Sequence, residues 1–484
     1  MNLLDLLDSI EYSVLQGSSE IEVNHIAYDS RKVEKGDLFV CITGFQTDGH
    51  GYAKKAVENG AIAILCEKAI EGIPTDITII QTDNTRKAIA MISSNFYHHP
   101  SEEMNVIGVT GTNGKTTTTY LMKSILDKIG HKVGVIGTIE NRIGEKVIPT
   151  ERTTPESLEL QALLRQMKEE EVTDVVMEVS SHSLDLHRVD GIRYRVGIFT
   201  NLTQDHLDYH KTMENYKKAK SLLFQRCEGS VINVDDPAGE YMVEQSKGKV
   251  LTFGIENKAD LQAEEIHISA DGVHFVLEYN TKRYPVMIHT PGRFSIYNAL
   301  GAIGASLLLG IDMDTIIKGL AENSGVSGRF QRVKSKRGYH AIVDYAHTPD
   351  GLENILNTAK EFVEGRVITV FGCGGDRDRT KRPIMGEIAG NLSDYCVITS
   401  DNPRTEDPVA ILADVEQGVK KTGCDYVKFV DRREAICHAV EYAKEGDIVI
   451  IAGKGHETYQ IFPDKTIHFD DVEEVRKAFG EDAI

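Results

Sequence analysis

An α/β protein of three domains is what this sequence predicts, and three features carry the prediction. At 484 residues the chain exceeds what one hydrophobic core organises, so roughly three domains are expected. Short apolar runs of strand length alternate with helical patterns along most of it, the rhythm of parallel sheets wrapped by helices. One such run, at 105–110, empties into a glycine-rich turn that opens a helix-like segment at 117–129. The expected architecture is a small N-terminal α/β domain (1–100), a central parallel-sheet domain with a small antiparallel appendage (101–330), and a C-terminal Rossmann-like α/β domain (331–484).

The bulk numbers narrow the class. Hydrophobic residues make up 41% and charged residues 26%, ordinary values for a globular protein. A net charge of -20 repels a phosphate backbone or an anionic bilayer, so neither nucleic acid nor membrane is an expected partner. Seven cysteines without metal-ligand spacing suit reduced thiols and no structural zinc, and Cys373 reads as a buried or incidental thiol. The N-terminal run lacks preceding basic residues and does not read as a signal peptide, and no run has the length of a membrane span. A cytoplasmic enzyme is expected.

In the first region, strand candidates at 37–43, 61–65 and 77–80 are separated by helical stretches near 50–59 and 84–98. Two polar clusters follow strands: Asp29-Ser30-Arg31-Lys32, and Gly44 to His50 with Phe45, Gln46 and Thr47. Each alone reads as a solvated loop; together they are compatible with binding a polar ligand.

The second region opens with Gly111-Thr112-Asn113-Gly114-Lys115-Thr116-Thr117. Such a turn converges backbone N–H groups on phosphate oxygens, with the helix N-terminus and Lys115 adding positive potential. Thr116 or Thr117 supplies a hydroxyl for Mg2+. Val109 stands where the common phosphate loop has its first glycine. Strands are expected at 133–136, 174–179, 196–200 and 230–234, a hairpin-like stretch at 261–288, and a small-residue helix at 294–309 carrying Asn298. Glu178 ends one strand, and His206 and Asp208 follow another; hard oxygen ligands beside a triphosphate are what Mg2+ requires, with His206 either a ligand or a hydrogen-bonding residue. Lys220, one turn beyond Lys217 on a helix, reads by spacing as solvent-facing, although crowded lysines have lowered pKa values suited to carbamate formation.

The third region repeats the rhythm with strands at 341–344, 367–371, 396–400, 428–430 and 447–452. Four of them end in polar turns that should share one rim of an open sheet. Arg404 after Pro403, beside Asp401 and Asn402, can grip a carboxylate while the acid or amide takes an ammonium. Arg377 and Glu457 on neighbouring turns add a second cation and anion. The set suits a zwitterionic amino acid, with an internal salt-bridge network as the alternative. A phosphate loop in one domain and an amino-acid pocket in another imply activation of a carboxylate by ATP, then attack by an amine.

The residues resemble the Mur ligase family, the ATP-dependent amide-bond ligases of bacterial cell-wall precursor synthesis. The likeness rests on 110–117, Glu178 to His182, Thr200-Asn201-Leu202 with Asp205-His206-Leu207-Asp208, Tyr297-Asn298-Ala299, Gly328-Arg329, Asp344 to His347 and Gly453 to Glu457. It implies that Ser30, Phe45, Gln46 and Thr47 hold a UDP group, and that Thr153, Thr154, Ser180 and Arg188 hold a muramoyl-dipeptide. It assigns Lys115, Asn298, Arg329, Asp344 and His347 to ATP, and Glu178 and His206 to Mg2+. Lys220 matches a lysine that becomes a carbamate and then a metal ligand, against its solvent-facing reading. Asp401-Asn402-Pro403-Arg404, with Arg377, Gly453 and Glu457, implies meso-diaminopimelate, whose distal carboxylate Arg404 can bind. Leu186 and Phe45 depart from residues found in some members. A monomer is expected. The alternatives are a lysine-adding ligase, opposed by Arg404; a folylpoly-γ-glutamate synthetase, opposed by the Ser30 and Gln46 loops; and a nucleotide-switch protein, which has no use for Lys220 and the C-terminal rim together.

Overall fold

The computed structural model describes residues 1–44, 47–150, 152–269, 271–323 and 325–480. Among the described residues three large sheets follow one another along the chain, besides a two-stranded antiparallel pair, Tyr459–Ile461 and Thr466–His468. The first has five strands in the order Ser13–Gln16, Thr78–Gln81, Ala63–Cys66, Leu38–Val40 and Ile26–Ala27, parallel except for Ser13–Gln16. Asn84 caps the helix Thr85–Phe96 by accepting from the Lys87 N–H, and its Ala88, Ile89 and Ile92 face the sheet's core.

The second sheet has eleven strands, with Asn105–Thr110 in its interior between Asp174–Glu178 and Tyr194–Phe199, parallel to both. Both faces of these strands are buried, which is why Val106, Ile107 and Val109 form a continuous apolar run rather than an alternation. The helix Lys115–Lys128 sends Leu121, Met122, Ile125 and Leu126 into the core, where it packs on Arg293–Leu308 and Met313–Glu322. From Ala299 onward the Arg293–Leu308 helix is built of small and apolar residues on every side, as its burial inside the domain requires. The strands Leu261–Ser269, Gly272–Tyr279 and Lys282–Ile288 form the expected antiparallel appendage, and it is continuous with the sheet. Leu261 and Gln262 pair in parallel with Phe253 and Gly254, so the hairpins extend the same sheet. The period-two pattern announces a hairpin; the short parallel pairing that attaches it leaves no such signature. Within the expected hairpin stretch 261–288, Ala270 lies outside the described residues.

The third sheet runs Gln331–Lys334, His340–Asp344, Ile448–Ala452, Val367–Phe371, Tyr395–Thr399 and Tyr426–Phe429, with only the first strand antiparallel. Gln331–Lys334 is a polar edge strand whose composition hid it. The carboxyl ends of His340–Asp344, Ile448–Ala452, Val367–Phe371 and Tyr395–Thr399 lead into the four polar turns, on the one rim that the rhythm predicts. Among the described residues no helix is long and apolar enough to cross a membrane.

Candidate active site

The helix begins at Lys115, two residues earlier than its apolar spacing indicates, because Gly114 at φ 86° serves as N-cap in the left-handed region. A Cβ at Gly114 would lie 2.3 Å from Asn298 Oδ1, and one at Gly111 would lie 1.8 Å from Thr200 Oγ1. The turn is braced by the neighbouring strand end: the Thr112 N–H donates to Asn201 O at 2.9 Å, the Asn113 N–H to Asn201 Oδ1 at 2.8 Å, and Thr200 Oγ1 to Asn113 O at 2.6 Å. Lys115 Nζ folds back on the carbonyls of Gly111 and Thr112 at 2.9 Å each. Burial lowers its pKa, opposed by Glu178 and Asp205. Val109 is wholly buried in the strand, so the turn starts later than in the common pattern.

Beside the loop, Thr116 Oγ1 donates to Glu178 Oε1 at 2.9 Å, and Thr138 donates to both Glu178 oxygens from its N–H and its hydroxyl at 3.0 Å. Thr117 lines the adjoining cavity instead. Lys220 is 1% exposed, which overturns the solvent-facing reading of its spacing. Its Nζ donates to Gly111 O at 2.7 Å and lies 4.5 Å from the centre of the Tyr216 ring. Burial, then Lys115, holds its pKa well below the lysine range. The crowding lysine is therefore Lys115; Lys217 instead pairs with Glu214 at 2.8 Å. His206, in the left-handed region at φ 53°, meets His182 edge to face, and burial pushes its pKa down to about 4. Among the described residues no group of three or more His, Cys, Asp or Glu side chains is arranged to hold a metal unaided.

A cavity of about 460 Å³ joins the loop to the C-terminal sheet, lined by Asn113, Gly114, Asn298, Arg329, Asp344 and His347 among others. Asp344 is fixed by the N–H groups of Phe330 at 2.6 Å and Ala346 at 2.8 Å, and burial raises its pKa. The Arg329 guanidinium stacks 4.5 Å from the centre of the Tyr345 ring and donates to Thr116 Oγ1 at 3.2 Å. His347 Nδ1 meets Tyr345 O at 2.8 Å, directing the rest of its ring elsewhere.

A second cavity, about 760 Å³, has His182, Asp205, His206 and Asp208 on one wall and the C-terminal rim on the other. The rim contributes Arg377, Asp401, Asn402, Arg404, Gly453 and Glu457. Arg404, at φ 52° after Pro403, donates to Gly375 O at 2.8 Å, and Arg377 to Asp376 O at 3.0 Å. Asp401 Oδ1 is buried with no hydrogen bond. The Asn402 amide is committed within the protein: Nδ2 donates to Glu457 Oε2 at 2.9 Å, and Oδ1 accepts from the Ile461 N–H at 3.0 Å. Beneath the rim, a buried pair of Arg432 and Asp471 at 2.7 Å also caps the carbonyls of Ser400 and Ala452, the residues before Asp401 and Gly453. Spacing gave no hint of Arg432, since helix-borne arginine usually faces water. Cys373 is buried, its thiol pushed up to about 12 by burial, in keeping with an inert role.

The remaining candidates lie towards the N-terminal sheet. Thr153 shares a hydroxyl hydrogen bond with Thr138 at 3.0 Å, which ties it to the Glu178 cluster. Thr154 Oγ1 donates to Glu178 O at 2.9 Å and receives the Ser180 N–H at 3.2 Å, while Ser180 caps the short helix Ser181–Asp185. Arg188 donates to Thr154 O at 3.3 Å and pairs with Glu156 at 2.9 Å, leaving its buried Nε without a partner. Ser30 starts the turn Ser30–Lys32, buried, its carbonyl accepting from Asn59 at 2.7 Å. Asp29 in that turn lines a cleft of about 260 Å³ that also includes Tyr28, Lys32 and Glu159. Thr47 is exposed, its carbonyl accepting the Gly44 N–H at 2.9 Å; Phe45 and Gln46 lie outside the described residues. Leu186 lines a small cleft with Tyr28, Ile42 and Arg86.

Three sheets, a phosphate loop in the middle one and a polar rim facing it define the class of protein, and comparison agrees. Residues 109–306 match the Mur ligase middle domain, 328–455 the Mur ligase glutamate ligase domain, and 22–97 the Mur ligase family catalytic domain. The chain belongs to the Mur ligase family. It is 54% identical over 485 residues to the UDP-N-acetylmuramoyl-L-alanyl-D-glutamate--2,6-diaminopimelate ligase of Clostridium botulinum, covering 99% of this chain and 100% of that one. It is 48% identical to the protein of the same name from Caldanaerobacter subterraneus, covering 99% of each. A solved structure of a ligase with that name superposes with a TM-score of 0.73 at 34% identity, covering 99% of both chains.

Proposed function

We propose that this chain is a ligase joining meso-diaminopimelate to the D-glutamate γ-carboxylate of UDP-N-acetylmuramoyl-L-alanyl-D-glutamate at the expense of ATP. The observation that carries the reading is the 760 Å³ cavity, which faces Asp205 and His206 beside the phosphate loop with Arg404, Asp401 and Glu457 on the rim. The full-length likeness to relatives bearing this activity in their names supports it.

Domain 1–100 takes the UDP part through Ser30, Phe45, Gln46 and Thr47, domain 101–330 takes ATP, and domain 331–484 takes the incoming amino acid. Gly111 to Thr117, Asn298, Arg329, Asp344 and His347 hold ATP. Thr153, Thr154, Ser180 and Arg188 hold the muramoyl-dipeptide, and the spare Nε of Arg188 is a donor for it. Arg404 and Arg377 hold diaminopimelate carboxylates. Asp401 and Glu457 take one of its ammonium groups and leave the other amine free to react, and Gly453 lets it approach closely.

Mg2+ fits the donors present. The Thr116 hydroxyl and Glu178 carboxylate are hard oxygens, and one or two carboxylates completed by phosphates and water are what this ion ordinarily uses. When bound it neutralises charge on the transferring phosphoryl group. His206 is held neutral and can add a nitrogen donor. Lys220 serves after carbamylation, for which its lowered pKa supplies the neutral amine.

Transfer of the γ-phosphoryl group to the carboxylate gives an acyl phosphate and ADP. The amine then attacks the acyl carbon, and phosphate leaves with one former carboxylate oxygen. Bringing these partners together in one cavity is the main contribution of the protein. The enzyme acts in the cytoplasm as a monomer. ADP release should require both the UDP-muramoyl-dipeptide and diaminopimelate, with an amide-linked tripeptide product by mass spectrometry. ATP hydrolysis indifferent to both would refute the reading, and equal turnover with lysine would refute the choice of amino acid.

A further inference from the structure

The rim holds a fully buried lysine to which the reaction just described assigns no part. Lys454 is 0% exposed, although it stands in a glycine-flanked turn where a lysine would ordinarily extend into water. Its Nζ donates to Glu457 Oε2 at 3.0 Å and to Asn402 Oδ1 at 3.3 Å, and lies 3.9 Å from Asp401 Oδ1. The Tyr459 ring, 5.4 Å away, covers it. Three residues of the amino-acid pocket thus converge on one ammonium group.

Two consequences follow from charge and valence. Asp401 and Glu457 are two carboxylates close to one cation, and without it they would share a poorly solvated corner as like charges. An ammonium has only donors, so Asn402 must turn Oδ1 towards it and Nδ2 towards Glu457, where the 2.9 Å contact is found. Lys454 thus joins the Ile461 N–H in fixing the Asn402 orientation, and it restrains Glu457 directly.

We propose that Lys454 is a positioning residue for the amino-acid substrate: it sets the charge and side-chain geometry of the pocket formed by Asp401, Asn402 and Glu457 without touching the substrate. The inference rests on the ligase reading. It places the determinants of amino-acid affinity one layer below the surface that Arg404 presents.

The test is steady-state kinetics of the full-length protein with Lys454→Met, which keeps the length of the side chain and removes its charge. The KM for diaminopimelate should rise about tenfold or more, the loss expected when a charge-assisted hydrogen bond is removed, while those for ATP and the UDP substrate stay within about twofold. Lys454→Arg, which retains the cation, should recover most of the diaminopimelate affinity and keeps the question open to measurement if the methionine variant does not fold. An unchanged diaminopimelate KM in Lys454→Met, or a rise shared by all three substrates, would overturn the assignment, as would an arginine variant that folds with parental stability yet fails to recover affinity. Failure of the parent enzyme to depend on diaminopimelate would instead refute the ligase reading, so the two failures are distinguishable.

Discussion

Lys220 Nζ lies 2.7 Å from the carbonyl oxygen of Gly111, so a buried helix lysine is anchored directly beneath the phosphate loop. An amine there is near the place where a metal and phosphates would meet. Lys220→Ala should lower turnover by about 10–100-fold, the usual scale for removing support from a metal site. Short carboxylic acids such as acetate should partly restore it by standing in for the proposed carbamate, as initial rates measured with and without the acid would reveal. No rescue at any concentration would count against a carboxylate-like role.

The same residue sets a pH dependence. Its pKa is held well below the lysine range, so the neutral amine that reacts with CO2 is available nearer neutrality than in an exposed lysine. Below the folded-state pKa the amine is protonated and unreactive. Enzyme stripped of CO2 should therefore regain activity faster as pH rises, at fixed dissolved CO2. A recovery rate independent of pH would remove Lys220 from the explanation.

Arg404 tests the choice of amino acid. Removing a charge-assisted carboxylate contact costs about 1.5–3 kcal/mol, so Arg404→Ala should lower kcat/KM for diaminopimelate by about 10–150-fold. The KM for ATP should hardly move. Comparing the two substrates in one assay checks this, and unchanged diaminopimelate kinetics would take Arg404 out of the pocket.

Gly114→Ala meets two obstacles, a φ of 86° and a Cβ 2.3 Å from Asn298 Oδ1. The backbone alone costs about 1–2 kcal/mol for a residue with a side chain. Displacement of Asn298 should also raise the KM for ATP, whereas the UDP substrate should bind as before. Calorimetric titration with each ligand separates the effects.

Asp471→Asn would leave Arg432 buried without its counter-charge, a change that costs about 3–5 kcal/mol. Thermal unfolding should register it as a large fall in Tm. Because Arg432 also holds the carbonyls of Ser400 and Ala452, the surviving folded enzyme should bind diaminopimelate less tightly.

The sequence was legible wherever chemistry and periodicity coincide. Asn105–Thr110 and Ile448–Ala452 are apolar runs ending in glycine turns, and both strands lie close to where the pattern puts them. Gln331–Lys334 carries too much charge to look like a strand, and the attachment of Leu261 to Phe253 depends on tertiary pairing. Within the site, Glu178 beside Thr116 was readable as a pair of hard oxygens. Spacing alone points Lys220 to solvent because burial of a helix residue depends on what packs across it, here Tyr216 and the phosphate loop. Lys454 and Arg432 stayed hidden for the same reason: their partners Asp401, Asn402 and Asp471 are distant in sequence.

The most direct measurement concerns the fate of one oxygen. With the D-glutamate γ-carboxylate labelled in a heavy oxygen isotope, the inorganic phosphate released in the complete reaction should carry one labelled oxygen per turnover. Phosphate free of label, with the carboxylate oxygen lost on amide formation recovered in water instead, would contradict phosphoryl transfer to the carboxylate.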